Sequence, residues 1–185
     1  MEGNNPESYA GIGAFVPRTA RDRDMWGRLV AFCDKEPKAF ERDPATSHVT
    51  GSAFVLSADR ASVLLTHHRK LDRWFQLGGH CDGLADAHST AWKEACEESG
   101  LRRIRPLSDR VIDVDIHAIP QNPREVGHWH YDVRYLFQAE AGEPQSSAES
   151  KALAWVPLNR LSDVTDSEGV LILPEKLEQF LSDHC

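Results

Sequence analysis

Apolar residues recur along the chain with two different periods, and the switches between them predict the order of elements. From about Thr19 the pattern is helical: Trp26, Leu29, Val30 and Cys33 fall at i, i+3, i+4 and i+7, one stripe of a helix. Pro37 and Pro44 bracket its end. Residues 1–17 are rich in Gly, Asn, Pro and Ser and predict a loose lead-in. Within them Gly11-Ile12-Gly13 lacks the preceding strand and third glycine of a phosphate loop, so it reads as linker. From His48 the pattern turns to strands. Residues 49–56 and 61–66 are β-rich runs around a turn at 57–60, a hairpin. A short strand follows at 74–77, ended by Gly78-Gly79, and then a helix at 87–99 closed by Gly100 at a left-handed C-cap position. Two longer strands are predicted at 111–119 and 129–138, a last one at 153–156, and a closing helix at 174–182 with Pro174 in its first turn. This order predicts a single globular domain of the α/β (α+β) class, a mixed sheet between helices. Residues 1–44 supply a lead-in and N-terminal helix, and residues 45–185 the main domain.

Composition narrows what such a fold serves. Of 185 residues, 41% are hydrophobic and 27% charged, ordinary for a globular chain that buries a core. A formal net charge of -8 counts against a nucleic-acid duplex, whose phosphates call for clustered Lys and Arg. It leaves room for an anionic small molecule, because a bound metal reverses the local field. No apolar run approaches the ~18 residues of a membrane span, and no secretory pattern opens the chain. Cys33, Cys81, Cys96 and Cys185 show no paired spacing, and free thiols without a signal predict a cytoplasmic location.

Candidate chemistry is concentrated in residues 79–101, GHCDGLADAHSTAWKEACEESGL. Glu94, Glu97 and Glu98 stand at i, i+3 and i+4, so three carboxylates project from one face of the predicted helix. Like charges at that spacing cost a few tenths of a kcal/mol per pair, roughly. A solvated acidic face tolerates this, and a bridging cation removes it. Hard oxygen donors suit Mg2+ or Mn2+. The segment resembles the signature of the Nudix hydrolases, G-x5-E-x7-R-E-U-x-E-E-x-G-U, with U a bulky apolar residue. Gly79, Glu94, Ala95, Glu97, Glu98, Gly100 and Leu101 take their expected places. The resemblance extends over most of residues 49–158 and includes Trp155-Val156-Pro157-Leu158. Two positions depart from the signature. Ala85 stands where the first glutamate belongs and Lys93 where the arginine belongs, the pair that in the family helps hold the loop against the helix. Asp82 and Asp86 are the nearby carboxylates.

The resemblance implies a Nudix-type mixed sheet sandwiched between helices. It also implies a metal-dependent pyrophosphohydrolase that cleaves a phosphoanhydride bond in a nucleoside-diphosphate-linked or similar small diphosphate. Mg2+ (or Mn2+) would be held by Glu94, Glu97, Glu98 and the Gly79 carbonyl. In the family the base is a box glutamate, here Glu97 or Glu98, or one from a later loop. Glu149, six residues before Trp155, falls at such a position; an exposed loop acid is the alternative reading. Homodimerisation, common in the family, is the implied assembly.

Polar residues around the box extend the candidate site. His67, His68, Arg69, Lys70 and Arg73 form a dense basic patch, with Arg69 and Arg73 the candidates for phosphate contact and a solvated hairpin tip the alternative. His80, next to Gly79, is a candidate donor beside the metal. On the strands after the box, Asp113, Asp115 and His117 alternate with Ile112, Val114 and Ile116, and His128, His130, Asp132 and Arg134 with Trp129, Tyr131, Val133 and Tyr135. Paired as a hairpin, they predict one polar surface opening toward the box helix. Asp113, His117, His128, His130 and Asp132 would then form a substrate cleft, an extra metal site or a solvent-facing side. Two other functions stay open: an isopentenyl-diphosphate-isomerase-like enzyme, suggested by Trp74, His80 and Cys81, and a ligand-binding or regulatory module without turnover, suggested by Ala85 and Lys93.

Overall fold

A computed structural model describes residues 6–42, 47–69, 71–121, 123, 126–140, 142–145 and 150–183. The N-terminal helix α1 (Ala20–Lys35) starts at Thr19, which exchanges hydrogen bonds with Asp22 in a capping box. The box helix α2 (Ala87–Ser99) starts at Asp86, whose carboxylate accepts from the Ser89 backbone N–H at 3.0 Å. It ends on Gly100 at φ 65.

Between these helices and the C-terminal ones lies a seven-stranded mixed sheet. Its middle strand β3 (His48–Leu56) runs parallel to β8 (His128–Ala139), from His48↔His130 to Leu56↔Gln138. Strand β7 (Ile104–Ile119) pairs antiparallel with β8 and slips register between Pro106 and Asp113. The other edge of β3 is shared. Leu56 pairs with Val63 of β4 (Ser62–His68), while Thr50 to Ala53 pair with β6 (Leu77–His80). Strand β4 also carries β5 (Arg73–Phe75) and β9 (Ser150–Pro157). A 3-10 turn (Leu158–Asp163), α3 (Glu168–Leu171) and α4 (Leu173–Ser182) follow.

Alternation along β3 feeds two cores, which is why the whole strand is buried. Val49, Ala53 and Val55 meet Ala87, Ala91 and Ala95 of α2 together with Val133, Tyr135 and Phe137. Phe54 and Leu56 meet Leu136, Val170, Leu173 and Leu177 on the opposite face. Helix α2 lies so close that a Cβ on Gly51 would sit 2.3 Å from the Ala87 carbonyl oxygen. Trp26 and Leu29 of α1 join the first core, and Phe32 stacks on Tyr131 at 4.1 Å.

Three elements differ from the sequence reading. The lead-in holds a hairpin, β1 (Glu7–Tyr9) and β2 (Gly13–Phe15), because Ile12 and Phe15 are 2% exposed and the Tyr135 hydroxyl donates to the Ile12 carbonyl at 2.7 Å. Gly78 and Gly79 lie inside β6 rather than after a strand. Basic residues His67 and His68 continue β4, since β9 pairs with them.

Candidate active site

Helical spacing brings the three carboxylates of α2 to one face. Glu94, its side chain 18% exposed, lies against the backbone of Gly79. A Cβ there would sit 2.6 Å from the Glu94 carboxyl carbon, so any side chain at this position would push the carboxylate aside. Glu98 is half-buried, and Glu97 forms the solvent end of the set. Lys93 reaches Glu94 Oε1 at 3.2 Å and Glu97 Oε2 at 3.1 Å. Those hydrogen bonds, the one to Glu97 first, raise its ammonium pKa above the ordinary value. The result is an oxygen donor set of high negative charge, partly open to water.

The polar row of β7 and β8 also forms, but on the other side of the sheet. His117, Asp115 and Asp113 stand opposite His130, Asp132 and Arg134. This row continues into Leu136, on the face that α3 and α4 cover, whereas α2 covers the reverse face. It therefore does not open toward the box helix. Two of its members are also spoken for. Asp113 is 0% and Asp132 2% exposed. Arg134 donates to Asp113 at 2.9 Å, to Asp132 at 2.8 Å and to Asp115 at 3.0 Å. Arg21 of α1 lies 2.7 Å from Asp113, and Lys176 of α4 lies 2.6 Å from Asp22 and 3.5 Å from Asp113. Thr50 and Ser52 complete the shell of Asp132 at 3.0 and 2.7 Å. Burial opposes the charge of Arg134, yet the three aspartates hold its pKa above the usual guanidinium value. Charges this deep persist only when paired. Asp113 and Asp132 thus bind the protein's own cations, correcting the expectation that they bind substrate.

The basic patch is engaged as well. Arg73 Nε donates to Asp166 at 3.1 Å, and Arg69 donates to the Ser150 carbonyl at 3.0 Å. Lys70 and Glu149 lie outside the described residues.

Histidines gather at the far end of the polar row. His80, His117, His128 and His130 are joined there by His48, which sequence reasoning missed. His48 stands opposite His130 in the parallel ladder, with ring centroids 4.7 Å apart. A signal existed: His48, Thr50 and Ser52 alternate as polar positions on a strand otherwise made of apolar residues and Gly51. Burial, then the surrounding imidazoles, push His130 down to about 2, so its ring is neutral.

A sequence model of the NUDIX domain matches residues 46–173. The chain belongs to the NUDIX domain family. It is thereby classed with the hydrolases that act on acid anhydrides in phosphorus-containing compounds. Similar solved structures include a NUDIX-family hydrolase from Clostridium perfringens, 24% identical with TM-score 0.53, covering 72% of this chain and 97% of that one. The NUDIX domain of Shewanella oneidensis NrtR, complexed with ADP ribose, is 20% identical with TM-score 0.52, covering 82% and 97%. An Ap4A hydrolase from C. elegans is 16% identical with TM-score 0.53, covering 73% and 98%. At these identities the likeness is one of fold. No curated protein matches the chain significantly.

Within this NUDIX domain, the departures at Ala85 and Lys93 have a structural counterpart. The loop before α2 is fastened to the N-terminal segment: Ala87 N–H donates to the Gly11 carbonyl, and Gly83 N–H to the Phe40 carbonyl, both at 2.8 Å. Asp86 is committed to capping α2. Anchoring of the loop comes here from residues outside the matched span.

Proposed function

We propose that the chain is a metal-dependent pyrophosphohydrolase that cleaves the phosphoanhydride bond of a nucleoside-diphosphate-linked or similar small diphosphate. The observation that carries this reading is the acidic face of α2, with the Glu94 carboxylate seated against side-chain-free Gly79. Its donor chemistry fits Mg2+ or Mn2+, hard cations that take carboxylate and carbonyl oxygens. Glu94, Glu97 and Glu98, with the Gly79 carbonyl, would hold the ion, which when bound neutralises diphosphate charge and lowers the pKa of a water. Lys93 keeps Glu94 and Glu97 in one orientation and offsets part of their repulsion. Glu97, the most exposed of the three, serves as acceptor for the proton of the attacking water, with Glu149 the alternative base. Arg69 is the candidate for substrate contact, while His80 lies on the opposite face of β6 from Gly79, against His48 and His130.

The test is a panel that includes ADP-ribose, diadenosine tetraphosphate and nucleoside triphosphates, incubated with and without Mg2+ and read by mass spectrometry. Metal-dependent products split at a P–O–P bond are expected. Rearranged product with every phosphate retained would point to an isomerase. Ligand-induced thermal stabilisation without any product would point to a binding module, and either result sinks the proposal.

A further inference from the structure

The entry of β3 into the sheet carries a second donor set of another chemical kind. One ring nitrogen from each of His48, His128 and His130 lies within 4.8 Å of the other two. His48 and His128 are buried, and their ring centroids are 5.0 Å apart; those of His128 and His130 are 5.1 Å apart. Two further imidazoles flank the three, His80 at 4.9 Å from His48 and His117 at 5.5 Å from His130.

Tautomers follow from the partners. His128 Nδ1 is 2.9 Å from the Val126 carbonyl, and a carbonyl only accepts, so Nδ1 carries the proton and Nε2 presents a lone pair. That Nε2 faces His130 Nε2 at 3.2 Å. His117 Nδ1 is 3.1 Å from Asp115 Oδ2, which Arg134 fixes in turn, so its Nε2 is a lone-pair donor as well. Histidines that ligate metals are oriented in this way, the far ring N–H given to a carbonyl or carboxylate. Tetrahedral zinc with Zn–N of about 2.0–2.1 Å needs its nitrogens about 3.3 Å apart. The His128–His130 pair already meets that spacing at 3.2 Å, and a ring nitrogen of His48 lies within 4.8 Å of both.

We infer that His48, His128 and His130 form a binding site for a borderline transition cation, Zn2+ first among them, separate from the acidic face of α2. Imidazole nitrogen suits Zn2+ and is a poor ligand for Mg2+, so the two sites sort ions by donor hardness. Solvent reaches this end of the cluster at His117, 42% exposed. His48, His128 and His130 all lie outside α2, so this site stands or falls independently of the proposed hydrolysis.

Metal-stripped full-length protein is titrated with Co2+ at neutral pH in the presence of excess Mg2+. A visible d–d absorption saturating at one equivalent and abolished by Zn2+ is expected. His128→Ala and His130→Ala should each weaken Co2+ binding by more than about 10–100-fold, the usual cost of losing an outer partner alone. Glu98→Gln should leave the spectrum unchanged. Lack of an absorption band, a band that survives both histidine changes, or one lost in Glu98→Gln overturns the site. Zinc-edge X-ray absorption on the wild-type protein makes the test independent of whether the variants fold. Three imidazole nitrogens at about 2.0–2.1 Å support the inference, and an oxygen-only shell refutes it.

Discussion

Glu94, Glu97 and Glu98 come from within one and a half turns of a single helix, whereas His48, His128 and His130 come from two strands far apart in sequence. The acidic set exists as soon as α2 winds, faces water, and needs only one glycine opposite it. The imidazole set exists only when β3 and β8 pair in the right register, and the buried ion network of Arg134 with Asp113, Asp115 and Asp132 continues the same polar row. One fold thus builds a locally encoded hard-ligand face and a globally encoded nitrogen cluster on opposite sides of β6, where Gly79 serves one and His80 the other. A site made by a helix survives loss of distant contacts; a site made by register does not.

The contrast breaks hardest at Arg134. Replacing it with Met leaves Asp113, Asp115 and Asp132 around a missing cation, with an expected loss of about 3–5 kcal/mol in urea unfolding. Co2+ absorption should vanish with it. A variant that unfolds like wild type would show that the network is not what supports that face. Next come Glu97→Gln and Glu98→Gln. Each should lower turnover of a responsive substrate by on the order of 10²-fold, while the metal-free melting temperature holds or rises slightly as carboxylate repulsion falls. Wild-type turnover together with unaltered Mg2+ stabilisation would leave α2 as a solvated acidic face. Asp86→Ala removes a helix cap and should cost about 1 kcal/mol, seen as a lower melting temperature with an unaltered Co2+ spectrum. A matching loss of cobalt binding would mean that the two regions are not independent.

A further effect is one of slope. Burial alone would raise the pKa of Asp22, but hydrogen bonds from Lys176 and the Arg18 backbone overcome it and hold the value below 3.8. Because the folded value lies under the unfolded one, its contribution is complete above about pH 4 and is lost as pH falls through and below it. Asp22→Asn should therefore flatten the acid limb of the melting-temperature profile. An unchanged limb would assign acid unfolding to other carboxylates.

How legible each region was in the sequence follows from the same difference. The C-terminal end of α2 was readable from Gly100, whose left-handed cap acts within a single turn, whereas the Asp86 cap at its start was read only as a nearby carboxylate. The mixed sheet between helices and the NUDIX resemblance were equally plain. Alternation on β7 and β8 revealed the polar row but not its side, since period two fixes that residues share a face and leaves the covering layer to tertiary packing. Hence Asp113 and Asp132 looked like ligands when Arg21, Arg134 and Lys176 already held them. Ile12 and Phe15 were hidden in a segment whose Gly and Pro content suggested a loose chain. His48 was marked only by its alternation with Thr50 and Ser52, and its place opposite His130 needs the β3–β8 register, which no local signal sets.

Attachment of the first helix to the last has a consequence for how the chain acquires its structure. Asp22 meets Lys176 across 154 positions, and Arg21 meets Asp113 across 92. Ile12 waits for Tyr135 across 123. During synthesis the N-terminal segment leaves the ribosome first, and its capping box can close at once. Arg21, however, waits for β7, and Asp22 for α4. Contacts of such separation close large loops and slow folding. Helix α1 is therefore made before the sheet and locked after it, and α4 is the element that locks it.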